Sequence, residues 1–316
     1  MKTTVNKQKS TKKQKKEKYR INNWSAYNKS LIKRGSINLW IPSDIADWWY
    51  GNGKNTYSDR AIETMLTIKA VYKLPLRGTT GFVQSLFAQV GITLSTPDYS
   101  TISRRAQKLH VVIKRSLKDT TDIILDSTGV KVYGEGEWKV RKHGWSYRRT
   151  WKKIHLAIDS RGEIRAVVVT DSDTHDSVPV RQILEQETAQ ISDFYGDGAF
   201  DTTGTYSQLQ TRKVTGCHIP PRYDAKIKFH GNLQKPPYPR DENLRAIRNS
   251  TRKKWKQESG YHTRSLIETT MYRYKTLFGQ QLSFRTDNNQ RAEVMVKCNI
   301  LNTFTHLCVL DSYKVP

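Results

Sequence analysis

Acidic residues, cysteine and long apolar runs are all scarce in this chain. Its 316 residues hold 29 Asp and Glu against 54 Lys and Arg, a net charge of +25. Solubility alone would be served as well by an acidic surplus, so a basic one of this size points to a polyanionic partner, nucleic acid before an anionic membrane surface. The three cysteines, Cys217, Cys298 and Cys308, are widely spaced and form no CxxC pair. That excludes a disulfide framework and a zinc site, and suits the reduced thiols of a cytosolic protein. No run of 18 apolar residues exists, and Lys297, Asn299 and Asn302 interrupt the most apolar stretch, "VMVKCNILNTFTHLCVL", which argues against a membrane span. The N-terminus lacks the apolar core of a signal peptide. No internal repeat is evident.

What is present suits a packed protein of more than one region. Eight Trp and sixteen Tyr supply core material, and the length allows a sizeable core. Residues 1–24 read as a basic, disordered tail, with nine Lys and Arg against Glu17 alone in the first twenty. Residues 25–118 read as a helical DNA-binding region, mostly helical from Ser43 to about Lys118. In it "YSDRAIETMLTIKAVYKL" has helical apolar spacing behind a cap at Ser58 or Asp59. A short helix from Phe82 to Val90, ending at Gly91, is followed by a second helix from the Asp98 cap through Leu109. This pair resembles a helix-turn-helix with a long turn. Its second helix offers Ser100, Thr101, Ser103, Arg104 and Arg105, groups suited to base edges and phosphates; an ordinary helical hairpin would show the same pattern.

From residue 119 to 316 the pattern becomes α/β with a mixed sheet. "DIILDSTGVKVY", "KIHLAID" and "EIRAVVVTD" read as three strands, the last two an antiparallel pair. A helix capped by Asp176 or Ser177, a strand ending at "YGDGAFD", a helix from Thr202 to Lys213 and a short strand in "VTGCHIP" follow. Two segments hold the basic excess. Lys131 to Lys153 has eight Lys and Arg, Arg148 and Arg149 among them, interleaved with Tyr133, Trp138, Trp145, Tyr147 and Trp151. Pro220 to Glu258 has eleven against four acids. Both read as loops able to grip a nucleic-acid backbone, or as a solvated hairpin and a mobile loop.

In so basic a chain, carboxylates at strand ends need a reason. Asp126 ends "DIILD", and Asp197 sits between glycines in "YGDGAFD". Glu268 lies on a helix beginning at Tyr261, whose angular spacing places Tyr261, Arg264, Glu268 and Lys275 on one stripe opposite Ile267, Met271 and Tyr274. Phosphodiester chemistry supplies a need, since hard divalent cations bind through a few carboxylates and two such ions stabilise an in-line displacement. Spacing alone is weak: Asp159, Asp171, Asp173 and Asp201 also lie at element ends, where capping and turns account for them, and an Arg264–Glu268 pair could be a plain surface contact.

The residues also carry a resemblance. "YHTRSLIETTMYRYK" has Tyr, two residues, Arg, three residues, Glu, six residues, Lys, without gaps. It resembles the signature of a large group of bacterial insertion-sequence DDE transposases; "ILDSTGVKV" resembles their first-Asp strand and "YGDGAFD" their second-Asp motif. The similarity runs from Asp122 to about Gln281. It implies an RNase H-like catalytic domain in which Asp126, Asp197 and Glu268 bind two Mg²⁺ ions, with Mn²⁺ able to substitute. Tyr261, Arg264 and Lys275 would contact the DNA backbone beside the cleaved phosphate. Double-stranded DNA, as transposon ends and as target, would be the partner, a homodimer the active assembly, and the nucleoid in a bacterial cytoplasm the location. Many relatives carry a β-rich insertion between the second Asp and the Glu, where this chain has only the basic stretch of about 220–258. A metal-dependent nuclease without strand transfer and a non-catalytic DNA-binding regulator derived from a transposase are the rival readings; strand-joined products and flanking inverted repeats separate them.

Overall fold

The computed structural model describes residues 18–52, 56–132, 151–229 and 238–315. The stretch read as a tail ends in order: β1 (Lys18–Ile21) pairs antiparallel with β7 (Ser312–Val315), so the two ends of the described chain lie side by side. Helices α1 (Trp24–Lys33), α2 (Ile45–Trp48), α3 (Asp59–Val71), α4 (Leu76–Gln89) and α5 (Tyr99–Ala106) follow. Ser58 and Asp98 are the caps expected, accepting from the amides of Ala61 and Ser100. Helix α4 starts six residues before the expected Phe82, directly after Pro75. Thr79 and Thr80 bond back to the carbonyls of Pro75 and Leu76 and keep the glycine-containing first turns helical. Helix α5 stops at Ala106 rather than Leu109.

Residues 110–118, the end of the region read as mostly helical, form no regular element. The reason lies far away in sequence, on the buried helix α11 (Asp287–Leu307). Asn299 accepts from Lys114 N and donates to Val112 O, as a neighbouring strand would. One turn on, Asn302 donates to Lys114 O and Ile164 O and accepts from Ile164 N. Helix α11 also closes the core of the helical region: Val296, Ile300 and Phe304 pack with Trp49, Ile62, Met65 and Phe87.

The sheet has the order β4-β3-β2-β5-β6, formed by β2 (Thr120–Lys131), β3 (Trp151–Ile158), β4 (Ile164–Asp171), β5 (Gln190–Tyr195) and β6 (Gly216–His218). β2, β3 and β4 run antiparallel, whereas β5 and β6 are parallel to β2. Both faces are covered, which is why the central strands are apolar on both sides. Ile123 and Leu125 of β2 pack with α6 (Val180–Gln186) and α7 (Thr203–Thr211), and Ile124 and Val130 pack with α10 (Ser265–Phe278) and α11. The outer strand β4 is blunted by amides: Gln186 bonds both ways with Val167, as Asn302 does with Ile164.

Three further expectations are corrected. Helix α6 begins after Pro179 with no side-chain cap; Asp176 bonds Ser127 and Lys153 instead, and Ser177 turns to His175. The basic stretch 220–258 is no plain loop: α8 (Pro239–Asn249) and α9 (Arg252–Glu258) lie in it, anchored by buried Leu244 and Trp255 and by Arg240 against buried Asp201 at 2.8 Å. Pro239 at the first helical position and the Thr251 cap were start signals that the charge run obscured. The helix expected from Tyr261 begins as a 3₁₀ turn, Tyr261–Arg264, and only then becomes α10. Arg148 and Arg149 lie outside the described residues.

Replacing Asn302 by Leu, a side chain with the same number of heavy atoms and the same branching, strands the amide and carbonyl of Ile164 and the carbonyl of Lys114. At about 1–3 kcal/mol for a buried group left unpaired, the variant is expected to lose roughly 2 kcal/mol or more, read as a lower urea midpoint at unchanged slope. A midpoint within experimental error of wild type would show that the amide clamp does not hold the linker to the sheet.

Candidate active site

Strand pairing brings the first two carboxylates together. On the parallel pair β2 and β5, Ile124 stands opposite Tyr195. Asp126 lies two residues beyond that pair on β2, on the face covered by α10 by the two-residue period of a strand, and Asp197 lies two residues beyond it, just past the end of β5. Asp197 has left the ladder but stays extended (φ −80°, ψ −176°) and caps the 3₁₀ turn Gly198–Phe200, accepting from Ala199 N at 2.8 Å.

Glu268 is reached through Arg264. The turn preceding α10 is entered at Gly260, whose φ of 66° only glycine adopts without strain. Arg264 Nη1 donates to Asp126 Oδ2 at 2.8 Å and Nη2 to Glu268 Oε1 at 2.5 Å. One guanidinium thus bridges a strand and a helix. The arm to Glu268, 59% exposed, is an i,i+4 surface pair worth about 0.3–0.5 kcal/mol; the arm to Asp126 joins two groups each 21% exposed and is the better shielded.

Electrostatics agree with this crowding. Burial raises the Asp126 pKa above the ordinary carboxylate range and the negative charge of Asp197 adds to that, against the opposing Ser127 amide and Arg264. Arg264 is held above its ordinary value because Tyr261, Asp126 and Glu268 together outweigh its own burial. Asp126, Asp197 and Glu268 offer hard oxygen donors, and Arg264 is the cation bonded to two of them, Asp126 and Glu268. That donor set fits a divalent cation such as Mg²⁺, although among the described residues no three acidic, His or Cys side chains are already gathered as a metal-ligand group.

The other candidate residues are dispersed. Tyr261 is buried, not on an exposed stripe, and packs on Trp255 with ring centroids 5.7 Å apart. Lys275 lies seven residues beyond Glu268, about 10.5 Å along the helix axis. On α5, Ser100 and Arg104 are exposed, the carbonyl of Ser103 accepts from Asn289, and Arg105 is turned inward to Asp59 at 2.5 Å and the carbonyl of Tyr57. A groove of about 690 Å³ on the α10 side of the sheet is lined by Lys118, Asp122, Arg161, Asp193, Tyr195 and Thr263.

A mixed α/β unit with a five-stranded mixed sheet fits an RNase H-like DDE domain. Comparison with known families agrees: a family described as Transposase DDE domain matches residues 117–303, and a second with the same description matches residues 32–135. The chain belongs to the DDE transposase family. No solved structure matches it, and no helix among the described residues is long and apolar enough to cross a membrane.

Sequence reasoning missed the polar cluster behind Asp126. On the opposite face of β2, Ser127 donates to Asp176 at 2.7 Å, Lys153 donates to the same oxygen at 3.1 Å, and fully buried His155 bonds Thr170 at 2.9 Å. The signal was the alternation of Lys153 and His155 with the apolar Ile154 and Leu156 in β3. Burial pulls His155 from its ordinary value of 6.5 down to about 4, with Asp176 opposing. Between those values the unfolded chain takes up a proton that the fold refuses, so stability falls as pH drops from 6.5 to about 4. A shift of that size is on the order of 3 kcal/mol. Wild type is expected to lose that much more stability across this window than His155→Gln. Parallel stability–pH curves for the two proteins would contradict a neutral, buried imidazole.

Proposed function

We propose that this DDE transposase binds the terminal inverted repeats of an insertion sequence and catalyses metal-dependent cleavage at its ends and transfer of the freed strands to target DNA. The observation that carries the proposal is the closeness of Asp126, on β2, to Asp197, just past the end of the neighbouring parallel strand, with Glu268 tied to Asp126 through Arg264. Asp126, Asp197 and Glu268 are the residues that would hold two Mg²⁺ ions, with Mn²⁺ able to replace them. When bound, such ions supply Lewis-acid stabilisation to the attacking and leaving oxygens of an in-line displacement.

The chain's own groups do the rest. Arg264 and Lys275 hold the backbone on either side of the scissile phosphate, Arg264 by its two-pronged fork and Lys275 as a point charge. Buried Tyr261 fixes the turn that aims Arg264. Residues 25–118 read the DNA ends, with the helix-turn-helix-like pair α4 and α5 presenting Ser100, Ser103 and Arg104; Arg105 steadies that helix through Asp59. Residues 119–316 carry the chemistry, and the helices of the basic stretch 220–258, with Arg148 and Arg149, grip the backbone further out. Water attacks the phosphorus at the transposon end and the 3′ oxygen leaves as a hydroxyl. That hydroxyl then attacks a target phosphodiester, one P–O bond forming for each broken. No protein nucleophile enters, and a homodimer presents two ends together.

Full-length protein, DNA containing the flanks of its gene, and Mg²⁺ or Mn²⁺ should yield released ends and joined target products. Asp126→Ala and Asp197→Ala should each reduce both by more than about a hundredfold, the order of loss when one electrostatic group leaves a reaction centre, while duplex binding persists. Undiminished cleavage by either variant would remove that residue from the site, and released ends without joined products would make the protein a nuclease.

A further inference from the structure

The guanidinium of Arg264 gives one nitrogen to each of two carboxylates on different elements, Asp126 of β2 and Glu268 of α10. Its backbone is set by the turn at Gly260 and by Tyr261 packed on Trp255, so the fork is aimed rather than loose. While it stands there, oxygens on both carboxylates are already occupied by a cation. Three carboxylates and one guanidinium leave a net charge of −2, which one divalent ion would neutralise.

We propose that Arg264 is the placeholder cation of the DNA-free site: it occupies carboxylate oxygens of Asp126 and Glu268 that a divalent ion needs, and an arriving DNA phosphate draws it away, so that metal loading follows DNA binding. The inference rests on the reading of Asp126 and Glu268 as metal ligands. A phosphate offers a guanidinium the same paired acceptors that it holds at rest. The arm to Glu268 is solvent-exposed and easily released, and a divalent ion entering among the carboxylates repels the guanidinium at short range. The coupling is reciprocal: DNA tightens metal binding by the factor by which metal tightens DNA binding. The device keeps the free protein from carrying a loaded phosphodiester-cleaving site.

The test is Mn²⁺ binding to the full-length protein, followed by the electron paramagnetic resonance of free Mn²⁺, with and without a duplex taken from the flanks of the gene. Without DNA, Arg264→Gln is expected to bind Mn²⁺ about tenfold more tightly than wild type, within the usual range of coupling between sites. Arg264→Lys keeps the charge but reaches only one carboxylate at a time, and should show most of that gain. With the duplex bound, wild type and Arg264→Gln should converge to within about threefold, wild type having gained more from the DNA. Asp126→Asn should abolish the gain in both Arg264 variants. Equal affinities in wild type and Arg264→Gln, at a site that Asp126→Asn weakens, would overturn the placeholder and leave the ligand assignment standing. Arg264→Lys indistinguishable from wild type would reduce the effect to charge and also overturn it. Mn²⁺ binding indifferent to Asp126→Asn would overturn the ligand assignment itself.

Discussion

The parallel pairing of β2 with β5 is the constraint on which the rest of this structure depends. With Ile124 opposite Tyr195, Asp126 two residues on along β2 and Asp197 just past the end of β5 come close enough for the charge of one to act on the other. Parallel strands at the centre of a sheet need cover on both faces. That need accounts for α6 and α7 on one side, for α10 and α11 on the other, and for the apolar character of β2 on both. The helix carrying Glu268 is present as cover for the sheet first, with Ile267, Met271 and Tyr274 buried against it. Its exposed first turn is thereby placed over the carboxylates.

Crowding negative charge has a cost that the fold meets locally. Asp126 is partly buried beside Asp197, and its proton affinity rises accordingly. Arg264 answers with one bond to each of two carboxylates, and the Ser127 amide answers from the strand itself at 2.7 Å. Behind the strand, Asp176, Lys153 and Ser127 form a separate hydrogen-bonded group on the other face. Ser127 therefore takes part in both polar clusters, its amide on one side and its hydroxyl on the other. The basic character of the whole chain works at longer range, drawing a polyanion toward a site that is acidic close up.

Much of this was legible in the sequence, and what was not had a common cause. The five strands could be read from their apolar runs, and Ser58 and Asp98 from their positions before helical spacing, because those signals are local. Asp126, Asp197 and Glu268 stood out as carboxylates in a basic chain, but only the resemblance singled them out from Asp159, Asp171, Asp173 and Asp201. The course of residues 110–118 could not be read locally, since Asn299 and Asn302 hold it from nearly 190 residues away. Two asparagines on an otherwise apolar helix were the trace it left. Helices α8 and α9 were hidden because their faces are built from charged stems around a single Leu and a single Trp. The bridge from Arg264 to Asp126 spans 138 residues, and only its short-range half, to Glu268, follows from helical spacing.

The most direct measurement is the anomalous diffraction of Mn²⁺ in crystals of the protein bound to end DNA. The same face of β2 and β5 carries a second pair of acids, Asp122 and Asp193, which line the neighbouring groove with Tyr195, so the site of the ion is a genuine choice. The account predicts anomalous peaks bounded by Asp126, Asp197 and Glu268, with Arg264 turned from both carboxylates to a phosphate. A peak at Asp122 and Asp193 instead, or Arg264 still bridging Asp126 and Glu268 with DNA and metal both bound, would contradict it.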